Sequence, residues 1–316
     1  MALCSYIPKP LLPIPLGMKK VLLARLVAAM TILFLFAFFS PYLHAQATIV
    51  QLSDLHIGLK RAPDASENLR RAVQLINQRD VDAVIVSGDI GERPEAWDEA
   101  RHILHGLHAK VYFVPGNHDV HTSGPENYRQ AFGDDYYKFQ VKNVTVYALD
   151  SQLLGNWDNF DAHQEPPIPG NIRSEGEKML SWLEGQGGGG QQDRGKNKGR
   201  DNRGPRNDGN VAIAVQHVPD ERDGSFPNDP KPYWTVNGDF KRREEQAFRN
   251  LGIHDLLAGH WHDGRVFNAG GFTWHLAPAT SWSTFGGKLG FAVHNITPDG
   301  RVRTEFVWLD GSSEKH

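Results

Sequence analysis

Six short runs rich in valine and isoleucine, separated by segments of helical periodicity, set the strongest limit on how this chain folds. The runs are Thr48–Leu52, Ala83–Val86, Val111–Val114, Val144–Leu149, Val211–Val215 and Asp255–Leu257. Between them, helices are predicted at Ser66–Gln78, Pro94–Leu107, Glu126–Phe132, Ser174–Leu183 and Lys241–Asn250. In the first of these, Leu69, Val73 and Ile76 recur along one helix face, with Ser66 as N-cap. Strand–helix alternation predicts an α/β domain with a largely parallel central sheet. Towards the end the pattern changes. Thr273–Leu276, Gly290–Ile296 and Val302–Leu309 read as strands, with Pro298-Asp299-Gly300 as a hairpin turn. They predict a second, antiparallel sheet or sheet edge.

Two segments stand outside this pattern. Residues 1–47 read as a leader: Lys19, Lys20 and Arg25, then the apolar run 26–39, then Ala45-Gln46-Ala47. Basic, apolar and small residues in that order describe a signal peptide cleaved after Ala47, and the run is short for a membrane span. The start is expected at Met1 or at Met18, and a membrane is contacted only if the leader stays uncleaved. The expected location is periplasmic or secreted. Residues 185–210, rich in Gly, Arg and Asn, carry no apolar side chain except Pro205 and are predicted to be a disordered insert. The domain is therefore expected to span 48–310, with 311–316 as a tail.

Charge narrows the partners. Removing Lys9, Lys19, Lys20 and Arg25 from the 34 basic residues leaves 30 against 37 acidic ones, a net −7. That balance argues against a double-stranded nucleic-acid binder, which needs a basic face. The one cysteine, Cys4, lies in the leader, so thiolate chemistry and disulfides are excluded from the exported chain.

Polar residues gather at the carboxyl ends of five strands. Thr48–Leu52 leads into Ser53-Asp54-Leu55-His56, and Ala83–Val86 into Ser87-Gly88-Asp89. Val111–Val114 leads into Pro115-Gly116-Asn117-His118-Asp119, Val211–Val215 into Gln216-His217, and Asp255–Leu257 into Ala258-Gly259-His260-Trp261-His262. Singly, Asp54 reads as a turn residue, Gly88-Asp89 as a turn pair, Asn117-His118-Asp119 as a helix cap and His217 as a packed histidine. Jointly they sit at the sheet edge where α/β proteins bind ligands. Carboxylates, an amide oxygen and imidazoles, without thiolate, suit Mn, Fe, Zn or Mg. Eight contacts from seven residues, with one carboxylate bridging, give two divalent metal ions. Two metals about 3.5–4 Å apart can hold a bridging hydroxide and a phosphoryl oxygen for in-line displacement, and a histidine can protonate the leaving alkoxide.

The five blocks, in this order, resemble the calcineurin-like metallophosphoesterases over about residues 48 to 296. The resemblance implies two packed β-sheets flanked by helices. It implies that Asp54, His56, Asp89 and His262 hold one metal, and that Asp89 bridges to a second held by Asn117, His217 and His260. It makes His118 the general acid and Asp119 the residue that orients it. Glu92, three residues after Asp89, and Gln216, where many relatives carry a second histidine, are departures. The runs Gln216-His217-Val218-Pro219, Asp150-Ser151-Gln152 and Gly133-Asp134-Asp135-Tyr136 are similar to a branch with Ser/Thr protein phosphatases. Class III cyclic-nucleotide phosphodiesterases share the metal motifs but match these flanks less well.

The expected function is an exported dinuclear phosphoesterase, a phosphomonoesterase acting on a phosphorylated substrate, with a phosphodiesterase as the alternative. A reading of another class is a non-catalytic, metal-stabilised binding protein that uses the basic insert. His121, Trp157, His163, Tyr233, Trp234 and Trp282 lie in loops that could rim the cleft, whereas His102, His105 and His108 read as a solvated helix face.

Overall fold

A computed structural model describes residues 47–120, 124–158, 160–187, 211–224, 226, 228, 230–284 and 286–316. The leader up to residue 46, His121 and positions 188–210 of the insert lie outside the described residues.

Twelve strands form two six-stranded mixed sheets. The first has the order β12-β11-β10-β1-β2-β3, built from β1 (Ala47–Leu52), β2 (Ala83–Ser87), β3 (Lys110–Val114), β10 (Gly290–Ile296), β11 (Val302–Trp308) and β12 (Ser313–Lys315). The second has the order β4-β5-β6-β7-β9-β8, built from β4 (Tyr137–Val141), β5 (Val144–Ala148), β6 (Val211–Val215), β7 (Asp255–Ala258), β8 (Arg265–Ala269) and β9 (Phe272–Leu276). These are the two sheets flanked by helices that the resemblance implied, while the largely parallel central sheet expected from the alternation is divided between them. Its strands divide into a parallel set β1-β2-β3 and a parallel set β5-β6-β7. Of the late strands, β10 and β11 form, with β12, the antiparallel sheet edge that was expected as the alternative to a separate sheet. β10 pairs antiparallel with β1, and β9 joins β7 in parallel.

The apolar runs lack alternation because both strand faces are buried. In β1, Ala47 and Ile49 face the other sheet, while Val50 and Leu52 face the helices. In β2, Ala83 and Ile85 meet the second sheet and Val84 and Val86 do not. Val144, Val146, Ile213, Val215 and Leu257 supply the opposing surface. Each such fully buried aliphatic side chain contributes about 1.5–3 kcal/mol.

Helices α1 (Ala65–Ile76) and α2 (Pro94–Leu104) cover the first sheet through Leu69, Ala72, Ile76, Trp97 and Leu104. Then follow the single turn α3 (Asn117–Val120) and α4 (Glu126–Phe132). Helices α5 (Gly170–Gln186) and α6 (Gly238–Leu251) cover the second sheet through Met179, Leu183, Phe240 and Phe248. The predicted N-cap is also corrected: α1 begins after Asp64, and Ser66 instead donates to Glu99. Helix α5 runs two residues into the segment read as insert, and the 311–316 tail carries β12, paired with β11.

Candidate metal centre

The five loops leaving β1, β2, β3, β6 and β7 converge on one buried cluster. Asp54, His56, Asp89, His260 and His262 all have positive φ, between 46° and 68°. Among the described non-glycine residues only Lys142 shares that conformation. Left-handed backbone costs a residue with a Cβ on the order of 1–3 kcal/mol and persists where surrounding structure over-determines it. Glycines let the loops approach that closely. A Cβ on Gly88 would lie 2.5 Å from His217 Nδ1, and one on Gly116 would lie 2.2 Å from the Asp89 nitrogen.

Within the cluster, His56 Nε2 lies 3.5 Å from Asp89 Oδ2, 3.9 Å from Asp54 Oδ1 and 3.3 Å from His262 Nε2. His262 Nε2 lies 3.1 Å from Asp54 Oδ1. The donor atoms of Asp54, His56, Asp89 and His262 all fall within 4.8 Å of one another, close enough to share one ion. His217 Nε2 approaches Asp89 Oδ2 to 3.4 Å, so Asp89 stands between His56 and His217. The His217 and His260 rings meet at 5.1 Å.

The tautomers suit a cation. His217 Nδ1 donates to the Ser87 carbonyl at 2.7 Å, His260 Nε2 to the Tyr233 carbonyl at 2.8 Å and His56 Nδ1 to Glu92 at 3.1 Å. Each bond directs the lone pair to the other ring nitrogen, the usual arrangement in ligand histidines. His262 is the exception: its Nδ1 accepts from the Thr284 backbone N–H at 3.1 Å and lies 3.2 Å from Thr284 Oγ1, which can then only donate to it. Asn117 Nδ2 donates to Tyr233 Oη at 3.0 Å. That leaves Asn117 Oδ1 and His217 Nε2 buried without a hydrogen bond among the described residues. A buried lone pair left unsatisfied costs about 1–3 kcal/mol, and a divalent cation would take both. The residues present fit such ions.

Two carboxylates next to the cluster have different partners. Asp119 does not orient His118 in the way the resemblance implied. Its carboxylate accepts from the backbone nitrogens of Gly116, Ile90 and Gly91 and from Trp97 Nε1, at 2.9–3.3 Å. It ties the loops after β2 and β3 to α2. The carboxylate at His118 Nδ1 is Glu92, at 3.0 Å, and its other oxygen holds His56. Burial works against the charged form of His118, but the Asp89 charge and the Glu92 hydrogen bond outweigh it and lift its pKa to about 9. Burial would raise Glu92; the bonds from His118 and His56 instead pull it down to about 2.

Above the cluster lies a cleft of about 490 Å³. Of the residues expected at its rim, Trp157, Tyr233, Trp234 and Trp282 line it. His163 is exposed elsewhere, as are His102, His105 and His108. The cleft also takes Arg61, Asp158, Phe160 and Thr284, none of which stood out in the sequence. Glu92 was legible only as an acidic residue three places after Asp89. Phe160, an aromatic among Asn and Asp, carried a faint signal. Arg61 carried none.

Known proteins agree with this architecture. A family model described as calcineurin-like phosphoesterase matches residues 47–264, and the chain belongs to that family. It is similar to the serine/threonine-protein phosphatase CPPED1 of Bos taurus, 25 % identical over 233 residues that make up 71 % of this chain and 64 % of that protein. The chain thus spans less than two-thirds of that relative's length. It is also similar to the glycerophosphodiester phosphodiesterase GpdQ of Enterobacter lignolyticus, 30 % identical over 141 residues, covering 33 % of this chain and 51 % of that one. A crystal structure of a dimetal phosphatase from Danio rerio shares the fold, with a TM-score of 0.55 and 16 % identity over 86 % of this chain and 99 % of that one.

Proposed function

We propose that this protein is a dinuclear metal-dependent hydrolase of phosphate esters, acting as a phosphomonoesterase. The observation that carries the reading is the buried Asp/His cluster with Asp89 between His56 and His217, at the floor of an open cleft. Asp54, His56, Asp89 and His262 would hold one ion; Asn117, His217 and His260, sharing Asp89, would hold the other. Divalent cations held there would supply an acidified water and positive charge to offset the phosphoryl oxygens. The chain's own residues do the rest. His118 lines the cleft, and with Nδ1 committed to Glu92, the proton for the leaving alkoxide comes from Nε2. Asp119 keeps the β2 and β3 loops together, so that Asn117 and Asp89 stay in register.

Phosphate release from an aryl monoester should stop on complete metal removal by EDTA and return with Mn²⁺. Full turnover by the metal-free protein would refute the proposal, and no turnover in any metal would favour the binding-protein reading. The similarity to a glycerophosphodiester phosphodiesterase supports a second reading, diester hydrolysis. Comparing kcat/KM for a mono- and a diester on one preparation separates the two. Export is likewise a proposal, supported by the order of basic, apolar and small residues before β1. A mature amino terminus at Thr48, read by sequencing the secreted or periplasmic protein, is the expected result.

A further inference from the structure

The cleft walls say something about the alcohol half of the ester. Tyr233 lies 4.8 Å from the His260 ring, and Phe160 lies 5.0 Å from Tyr233. Trp157 meets both His260, at 6.0 Å, and Tyr233, at 6.5 Å. These rings form a continuous aromatic wall running outward from a proposed metal ligand. On the other side of the cluster, Trp282 packs edge-on against His56 and His262 at 5.7 and 5.3 Å, with the Arg61 guanidinium 4.8 Å above its ring. The wall is built in. Tyr233 is anchored at both ends, its hydroxyl by Asn117 and its carbonyl by His260, and Trp157 lies against Gly155, where a Cβ would sit 2.2 Å from the ring. Phe160 completes it while 43 % exposed, the one large hydrophobic side chain so exposed among the described residues.

The Lys231 ammonium lies 4.1 Å over the Phe160 ring, and Phe160, Tyr233 and Trp157 together present one contiguous aromatic surface to the cleft. His118, the proposed proton donor to the leaving oxygen, lines the same cleft as Phe160, Tyr233 and Trp157. From these facts we infer that the cleft carries a leaving-group subsite selective for flat aromatic alcohols, with Phe160, Tyr233 and Trp157 stacking on the ring. The inference rests on the phosphoesterase reading and adds the substrate class: aryl or arylmethyl monoesters rather than alkyl ones such as phosphoserine, whose side chain leaves the wall uncovered. The volume of about 490 Å³ matches a small-molecule site.

Aryl phosphates are intrinsically more reactive, so the test is binding of stable analogues. Phenyl-, cyclohexyl- and methylphosphonate are titrated as competitive inhibitors of the Mn²⁺-loaded full chain, with phosphate release from glycerol phosphate as readout. Phenylphosphonate should bind about 10-fold more tightly than methylphosphonate, the span expected for stacking on one or two rings. Cyclohexylphosphonate should fall between them, and Phe160→Ala, at an exposed position, should bring the phenyl-to-methyl ratio towards one. Equal inhibition by all three, or an unchanged ratio in Phe160→Ala, overturns the subsite while the phosphoesterase reading stands. Absence of phosphate release from every ester overturns both.

Discussion

Glu92 and Asp119 are both carboxylic acids near the same histidine, yet their surroundings give them different tasks. Asp119 is buried under four N–H donors, whereas Glu92 reaches from a half-buried position to two imidazoles. Asp119→Asn would turn an amide donor towards those N–H groups, so a loss of about 1–3 kcal/mol in stability is expected, read as a lowered Tm. Glu92→Gln should leave Tm nearly unchanged and lower turnover about 10–100-fold, the usual effect of removing a group that orients a functional histidine. The reverse pattern would restore Asp119 to the role implied by resemblance. For His118→Asn, turnover of an alkyl phosphate should fall about 10²–10⁴-fold and that of p-nitrophenyl phosphate much less. Equal losses on both would remove the general-acid assignment. At this scale the sequence disclosed which residue types meet, because Asp, Asn and His at strand ends are distinctive. It did not disclose which carboxylate touches which nitrogen, since that depends on loop approach of a few tenths of an ångström.

The elements that position the site are loops rather than strands, and their strain is the feature least visible in sequence. Asp54, His56, Asp89, His260 and His262 adopt a backbone region that favours glycine. Nothing in a single-residue propensity would place five such residues in one cluster. The glycines beside them were legible as turns, but their reason is close approach. Gly116→Ala would press a Cβ against the Asp89 nitrogen. Because that neighbour is backbone, about 1–3 kcal/mol of destabilisation is expected, with weakened Mn²⁺ binding by calorimetry. Unaltered Tm and affinity would mean the two loops separate freely. Strands β4, β8 and β12 escaped prediction for a related reason. They are edge or hairpin strands with exposed positions, and β12 is Ser-Glu-Lys, all exposed. Edge strands are fixed by a partner's hydrogen bonds rather than by their own apolar pattern.

Across the whole molecule, the packing of α6 against the loop after β6 buries two acids that the proposed chemistry does not use. Asp220 accepts from Gln216 Nε2 at 2.7 Å, and both Asp220 and Glu244 are almost fully buried. Burial pushes both carboxyl pKa values up, Asp220 to about 7, and Glu245 nearby adds to the effect. The folded chain therefore holds protons that the unfolded chain, with carboxyl pKa values near 4, releases. Their contribution to stability is full below about pH 4 and is lost as pH rises through about 7. Glu244→Gln should match wild type in Tm near pH 5 and exceed it near pH 8, as followed by calorimetry. A Tm difference independent of pH would mean that these acids do not share protons in the folded state. At this scale the sequence by itself determined the layers and the cluster's membership. Runs such as Ala83–Val86 are apolar at every position and can be satisfied only between two covered faces. Asp54, His56, Asp89, Asn117, His118, His217, His260 and His262 follow five strand ends, which places them at one edge. The resemblance carried by the five motifs already implied two packed sheets; only the tertiary structure decided which strands pair in each, that Glu92 rather than Asp119 lies at His118 Nδ1, and that Arg61 and Phe160 flank the cleft. Strand partnership and side-chain contact are relations between residues far apart in the chain, set by packing and loop geometry, and no local pattern encodes them.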